Sequence, residues 1–305
     1  MSKIEWTETT WNPIIGCSRV SEGCRHCYAE RMAALLAANP ATPEYRGIAE
    51  STAVGPRWTG DVRLVTSRLD LPMHWAKPRL VFVNSMSDLF HEKLTFAAIE
   101  AVFEVMRRTP QHTYQVLTKR PRKMADFVRW CKDCHLAVGD AWPLPNVWGG
   151  VSVENQAAAD ERIPWLLQCG FNVSFLSCEP LLGPLALRTV DDFSDVGHGR
   201  GWLSTYQGTT VNWVIVGGES GPGARPMHPD WVEGIRAQCK LAGVPFFFKQ
   251  WGEWGFVPDG VPIIKSDPIK TTGGAFVRFG KKANGRRYYG REYNELPEGW
   301  PHVRP

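Results

Sequence analysis

Three cysteines stand close together near the N-terminus, Cys17, Cys24 and Cys27, in a CX6CX2C spacing that opens on Gly16 and closes on Tyr28. Thiolates hold zinc or iron–sulfur clusters, and a CX2C step lets two of them reach neighbouring irons of one cubane. The loop is polar and contains glycine, a poor home for unligated thiols, which are usually buried. Zinc, the main rival, would want a compact fourth ligand such as a histidine. The pattern therefore predicts a 4Fe–4S cluster. A second pair, Cys131 and Cys134 followed by His135, spells the CXXCH string of haem attachment. That chemistry belongs to exported proteins, and the N-terminus lacks the apolar core of a signal peptide, so the pair reads as ordinary thiols at a helix end. Cys169 and Cys239 read as core or helix residues, and Cys178 as a strand-end residue facing the site.

Elements must position these groups. Apolar, β-branched runs recur at Leu80–Val83, Tyr114–Leu117, Val147–Val151, Val173–Leu176, Trp213–Val216 and Val244–Phe248, with a weaker first run from Trp11 to Ile15. Continuous rather than alternating apolarity predicts parallel strands buried on both faces. Between them lie helical stripes: Phe96, Ile99, Phe103 and Met106, then Trp231, Ile235 and Cys239 between Pro229 and Gly243. Such βα units predict an α/β fold, a TIM-like (βα) barrel, complete or partial. Residues 1–260 are assigned to the barrel and 261–305 to a C-terminal appendage. There, Phe276 to Gly280, Asn284-Gly285 and Arg286 to Tyr289 suggest a β-hairpin.

The apolar runs end in polar groups: Asn84, Asp88 and His91; Thr118-Lys119-Arg120; Ser152 and Glu154; Ser177-Cys178-Glu179; Gly217-Gly218-Glu219-Ser220; Lys249-Gln250. Barrel enzymes place their chemistry at the carboxyl ends of the strands, so these ends are expected to line one site.

A net charge of +4 does not by itself mark a nucleic-acid binder. Two basic clusters, Lys119 to Lys123 and Lys281-Lys282 with Arg286-Arg287, predict at most a weak contact with phosphates or nucleic acid. No apolar stretch is long enough to span a membrane, and the protein is expected to be cytoplasmic. The 14 tryptophans include Trp6, Trp11, Trp58, Trp251 and Trp254, read as loop residues that plug barrel ends or wall a pocket.

The ordered motifs resemble a phage- and prophage-encoded three-cysteine-motif family of unknown function. They are Thr10-Trp11-Asn12-Pro13, the cysteine loop through Arg31, Val83 to His91, Leu117 to Pro121, Cys178 to Pro184, Val216 to Gly221 and Phe248 to Gly252. That family is distantly similar to radical S-adenosylmethionine (SAM) enzymes, which carry a three-cysteine cluster after the first strand of a partial or full barrel. The resemblance implies a barrel and a cluster. Radical SAM enzymes usually show CX3CX2C, and their Gly-Gly-Glu follows the second strand. Here the first gap is six residues, and Gly217-Gly218-Glu219 lies much later.

Three functions compete. In a radical SAM enzyme, Asp88 or Glu219 would take the SAM amino group and Lys119 its carboxylate, with Glu179, Lys249 and Lys119 as candidates for catalysis. In a cluster protein that does not use SAM, a protein side chain closes the fourth iron. His91 is the leading candidate, oriented by Asp88, with Cys178, Glu179 and His228 behind it. The third reading is a zinc-stabilised nucleic-acid binding or processing protein.

Overall fold

The computed structural model describes residues 4–187, 201–203, 210–263 and 267–298. Seven strands form one sheet: β1 (Thr9–Trp11), β2 (Leu80–Val83), β3 (Thr113–Thr118), β4 (Val147–Ser152), β5 (Val173–Cys178), β6 (Trp213–Gly217) and β7 (Phe246–Gln250). They lie in the sheet in chain order, and β1/β2, β2/β3, β3/β4 and β6/β7 pair in parallel. Parallel neighbours need a crossover. Among the described residues five crossovers carry helices: α1 (Tyr28–Ala38), α2 (Phe96–Arg108), α3 (Pro121–Asp133), α4 (Gln156–Cys169) and α5 (Pro229–Ala242). The fold is α/β, and among the described residues the main sheet has seven strands where a complete barrel has eight.

The chain divides into two compact units. Of the described residues, one comprises residues 4–151 and 161–175; the other comprises residues 152–160, 176–187, 201–203, 210–263 and 267–298. The expected division near residue 260 falls inside the second.

In the first unit β2 is buried at every position, as its unbroken apolar run requires. Thr95 caps α2 by accepting from the Ala98 amide, and Ile99, Val102, Phe103 and Met106 form its buried face. Phe96 is only half-buried and packs on Trp130 and Phe127. Phe90, Phe103 and Phe127 meet with ring centroids 5.0–6.3 Å apart. Each contributes roughly 1.5–3 kcal/mol by burial. This packing fixes Phe90, and with it the neighbouring Asp88 and His91.

The expected first strand splits. Thr9–Trp11 joins the main sheet beside β2, whereas Ile14–Ile15 pairs antiparallel with Arg63–Leu64. Trp11, Trp58 and Trp254 lie in strands rather than loops, and Trp11 is 1% exposed.

In the second unit α5 buries Val232, Ile235 and Cys239, so Val232 takes the place expected for Trp231. Gly243 closes the helix in the left-handed conformation. The appendage is a three-stranded antiparallel sheet in which Gly274–Arg278 pairs with both Trp254–Pro258 and Ile269–Thr271. Asn284 ends the short helix Lys281–Asn284 and makes no hairpin turn with Gly285. Residues 264–266 and 299–305 of the expected appendage lie outside the described residues. Among the described residues no helix is long and apolar enough to cross a membrane.

Candidate metal centre

The cysteine loop is held by the segment that follows β2. Asn12 Oδ1 accepts from the Ser85 hydroxyl at 3.1 Å and the Met86 amide at 3.0 Å. Asn84 Oδ1 accepts from the Ile14 amide at 3.3 Å, and Ser87 Oγ donates to the Ile14 carbonyl at 2.9 Å. Gly16 then turns the chain at φ +91°, where a Cβ would meet the Asp61 carbonyl oxygen at 2.0 Å. No side chain fits there.

Beyond Gly16 the three thiols are all half-buried. Cys24 ends a single 3-10 turn, Glu22–Cys24, and its carbonyl accepts from the Cys27 amide at 3.3 Å. Cys27 is the N-cap of α1. Burial raises the Cys27 pKa, opposed by the Glu30 and Ala29 amides at the helix start and by the Lys119 charge. Burial pushes Cys17 up to about 12, with Asp88 adding to the rise and Arg120 opposing it. Without a bound group both are therefore thiols at neutral pH.

Arg120, between β3 and α3, reaches this loop from the other side. Its guanidinium donates to Ser18 Oγ at 2.8 Å, to the Ser18 carbonyl at 3.1 Å and to Glu92 Oε1 at 2.7 Å. Nη1 lies 3.1 Å from Asp88 Oδ2 and 3.8 Å from Cys17 Sγ. Burial works against the Arg120 charge, but Asp88, Cys17 and Glu92 outweigh it and raise the pKa. Asp88 is fully engaged. It accepts from Thr118 Oγ1, the Phe90 and Lys119 amides, and Arg120, at 2.7–3.1 Å.

His91 lies against the same loop. Its Nδ1 accepts from the Lys93 amide at 3.2 Å, which leaves the proton on Nε2 to be donated to Ser18 Oγ at 2.9 Å. Burial, and then Arg120, lower its pKa and keep it neutral. The orienting bond expected from Asp88 is absent: the Lys93 amide occupies Nδ1, and other donors occupy Asp88. Lys119 is half-buried, and its charge works to lower the Cys27 pKa.

Sequence reasoning missed Ser18, the partnership of Arg120, and Glu30. Glu30 is 2% exposed on α1, where it pairs with Arg19 of the cysteine loop, lies 3.8 Å from Arg57 and accepts from the Trp58 amide at 2.8 Å. A glutamate in a helical first turn gives no sign of such burial. The signal available was the Thr118-Lys119-Arg120-Pro121 run.

The second unit holds the other candidates. Lys249 Nζ donates to both carboxylate oxygens of Glu179 at 2.7 Å. Gln250 Nε2 lies 3.5 Å from Glu179 Oε1 and donates to the Gly218 carbonyl at 2.7 Å. Glu219 is spent on Arg225, which approaches with Nε, Nη2 and its own amide at 2.8–2.9 Å. Cys178 is fully buried rather than facing a site, and burial raises its pKa well above the usual thiol range. His228 caps α5 through Nδ1, its ring against Phe256 and Phe276. Cys131 is buried in α3, and Cys134 is the exposed C-cap.

Among the described residues no three His, Cys, Asp or Glu side chains converge as closely as one metal ion requires. The cysteine loop fits an anionic, thiolate-held group by its donors and surroundings. It offers three half-buried thiols, a helix N-terminus at Cys27, the Arg120 guanidinium at Cys17, and a Lys119 charge that favours the Cys27 thiolate.

A family model described as "Protein of unknown function (DUF5131)" matches residues 1–297. No curated protein and no solved structure matches the chain.

Proposed function

We propose that this chain, which belongs to the DUF5131 family of proteins of unknown function, is an iron–sulfur protein that holds a 4Fe–4S cluster on Cys17, Cys24 and Cys27. The observation that carries this reading is the surroundings of the three thiols: Arg120 reaches the Cys17 sulfur, the Lys119 charge favours the Cys27 thiolate, and Cys27 caps α1. Each would offset the negative charge of thiolates bound to iron. When bound, such a cluster supplies one-electron transfer, or a Lewis-acidic iron where one position stays open.

The chain's own residues divide the work. Arg120 and Asp88 fix Ser18 and thereby the approach of Cys17. His91 is the candidate fourth ligand through Nε2, and using it would replace the Ser18 hydrogen bond. Lys119 supplies positive charge. Glu179 and Lys249 form a separate pair suited to proton exchange. The reading without SAM is preferred because Asp88 and Glu219, the carboxylates available for an amino group, are each committed to an arginine.

The test is anaerobic purification with iron, sulfide and zinc analysis. About four irons and four sulfides per chain are expected. Alanine at Cys17, Cys24 or Cys27 should remove them, whereas Cys131→Ala and Cys134→Ala should not. Stoichiometric zinc without sulfide would overturn the proposal in favour of a zinc centre.

A further inference from the structure

Residues 280–293 hold Lys281, Lys282, Arg286, Arg287 and Arg291 against a single carboxylate, Glu292. The proposed cluster uses none of them. At the tip, Tyr288 and Arg291 exchange backbone hydrogen bonds of 2.9 and 3.2 Å, which closes a two-residue turn at Tyr289-Gly290. Both turn residues are left-handed, with φ +46° at Tyr289 and +76° at Gly290. This is the type I′ arrangement, whose first central position favours Asn, Asp or Gly because a larger side chain is strained there. Tyr289 occupies that position with 76% of its surface exposed.

Packing does not explain the residue. Tyr288, by contrast, is anchored: its hydroxyl donates to Glu233 at 3.0 Å and its ring packs on Phe248 and Trp251. Tyr289 touches that pedestal with a centroid separation of 4.6 Å and a side-chain hydrogen bond with Tyr288, and most of its surface remains exposed. Arg287 and Arg291 flank it. Both are exposed, and neither has an ion-pair partner among the described residues, nor does the exposed Lys282. Arg286 is occupied with Glu292, Asn294 and the Lys249 carbonyl.

A strained, solvent-facing aromatic among exposed cations that lack a carboxylate partner, with Arg291 lying over the Tyr293 ring at 4.4 Å, matches one ligand chemistry, a π face carried on a phosphate backbone. A duplex keeps its base faces stacked and would leave the ring unused. A lipid surface would need more than one exposed ring among charges. We propose that the Tyr289-Gly290 turn, with Arg287, Arg291 and Lys282, binds single-stranded nucleic acid, with Tyr289 stacked on a base and the cations on phosphates. The proposal does not depend on the cluster.

The experiment is fluorescence anisotropy of the full chain with labelled 20-nucleotide oligo(dT), oligo(rU) and a duplex of equal length. Vesicles containing phosphatidylserine form a further arm. Wild type is expected to bind the single strands more tightly than the duplex. Tyr289→Asn should weaken binding about tenfold or more, while its melting temperature holds or rises because strain is removed. Tyr289→Phe should retain binding. Arg287→Gln or Arg291→Gln should weaken binding and flatten the log–log salt slope by about 0.7 each. Three results would overturn the proposal: no wild-type binding to single strands, Tyr289→Asn binding like wild type, or binding to vesicles alone.

Discussion

Arg120 Nη1 stands 3.1 Å from Asp88 Oδ2 and 3.8 Å from Cys17 Sγ, so one guanidinium ties the loop after β2 to the first cysteine. Both members of the Asp88–Arg120 pair are more than nine-tenths buried. Removing one partner of such a pair leaves an uncompensated charge. Arg120→Met should destabilise the chain by about 3–5 kcal/mol in urea unfolding. Arg120→Lys should rescue only part of the loss, because an ammonium cannot reproduce the guanidinium fork. A loss below about 1 kcal/mol would show that the loop is held by other contacts.

His91 donates from Nε2 to Ser18, next to Cys17. His91→Ala should leave iron and sulfide in the anaerobic protein but change the EPR spectrum of its reduced state. Adding SAM should leave the wild-type spectrum unchanged. A wild-type spectrum that shifts with SAM and is indifferent to the substitution would remove His91 from the ligand set and restore the radical enzyme.

His112 is fully buried, donating from Nε2 to the Pro72 carbonyl at 3.0 Å, while its Nδ1 has no partner. Burial lowers its pKa below the ordinary 6.5. Between the folded and unfolded values the unfolded chain binds the extra proton, so stability rises with pH there. The contribution is complete above the unfolded pKa of about 6.5 and is lost as the pH falls below it. Urea midpoints measured from pH 7.5 to 5 should fall for wild type and fall less for His112→Gln. Parallel curves would rule out this residue as a source of acid sensitivity.

Gly16 combines φ +91° with a Cβ position 2.0 Å from a backbone oxygen, an atom that cannot swing aside as a flexible side chain would. Gly16→Ala should cost at least about 2 kcal/mol. It should also reduce metal uptake, since the turn aims the chain into Cys17. Wild-type stability with full metal content would mean that the strand ending at Ile15 re-routes freely.

The strands were legible because burial on both faces leaves a plain residue pattern. Leu80–Val83 is predicted at its observed limits, and the ends of β3, β4, β5 and β6 differ by one or two residues. β7 was displaced toward its N-terminus because Lys249 and Gln250 look like loop residues, yet the strand runs on through them, with Lys249 at a bulge and Gln250 paired with Gly217. The three cysteines announced themselves by spacing. Their supports did not, because a buried charge looks like any other charge until its partner is known. Asp88 meets Arg120 from 32 positions away, and Glu30 meets Trp58 from 28. Tyr289 was hidden for a related reason: the strain lies in its backbone angle, which residue type does not report.

Most residues that enclose the cysteine loop follow it in the chain. Asn84, Ser87 and His91 come some 70 positions later, and Arg120 follows Cys17 by 103. During synthesis the thiols therefore leave the ribosome as open chain, exposed to any oxidant before the later residues that shield them exist. Enclosure is complete only with the start of α3, once Arg120 has followed Cys27. A chain released before that point would carry three unprotected thiols, a liability that complete translation removes.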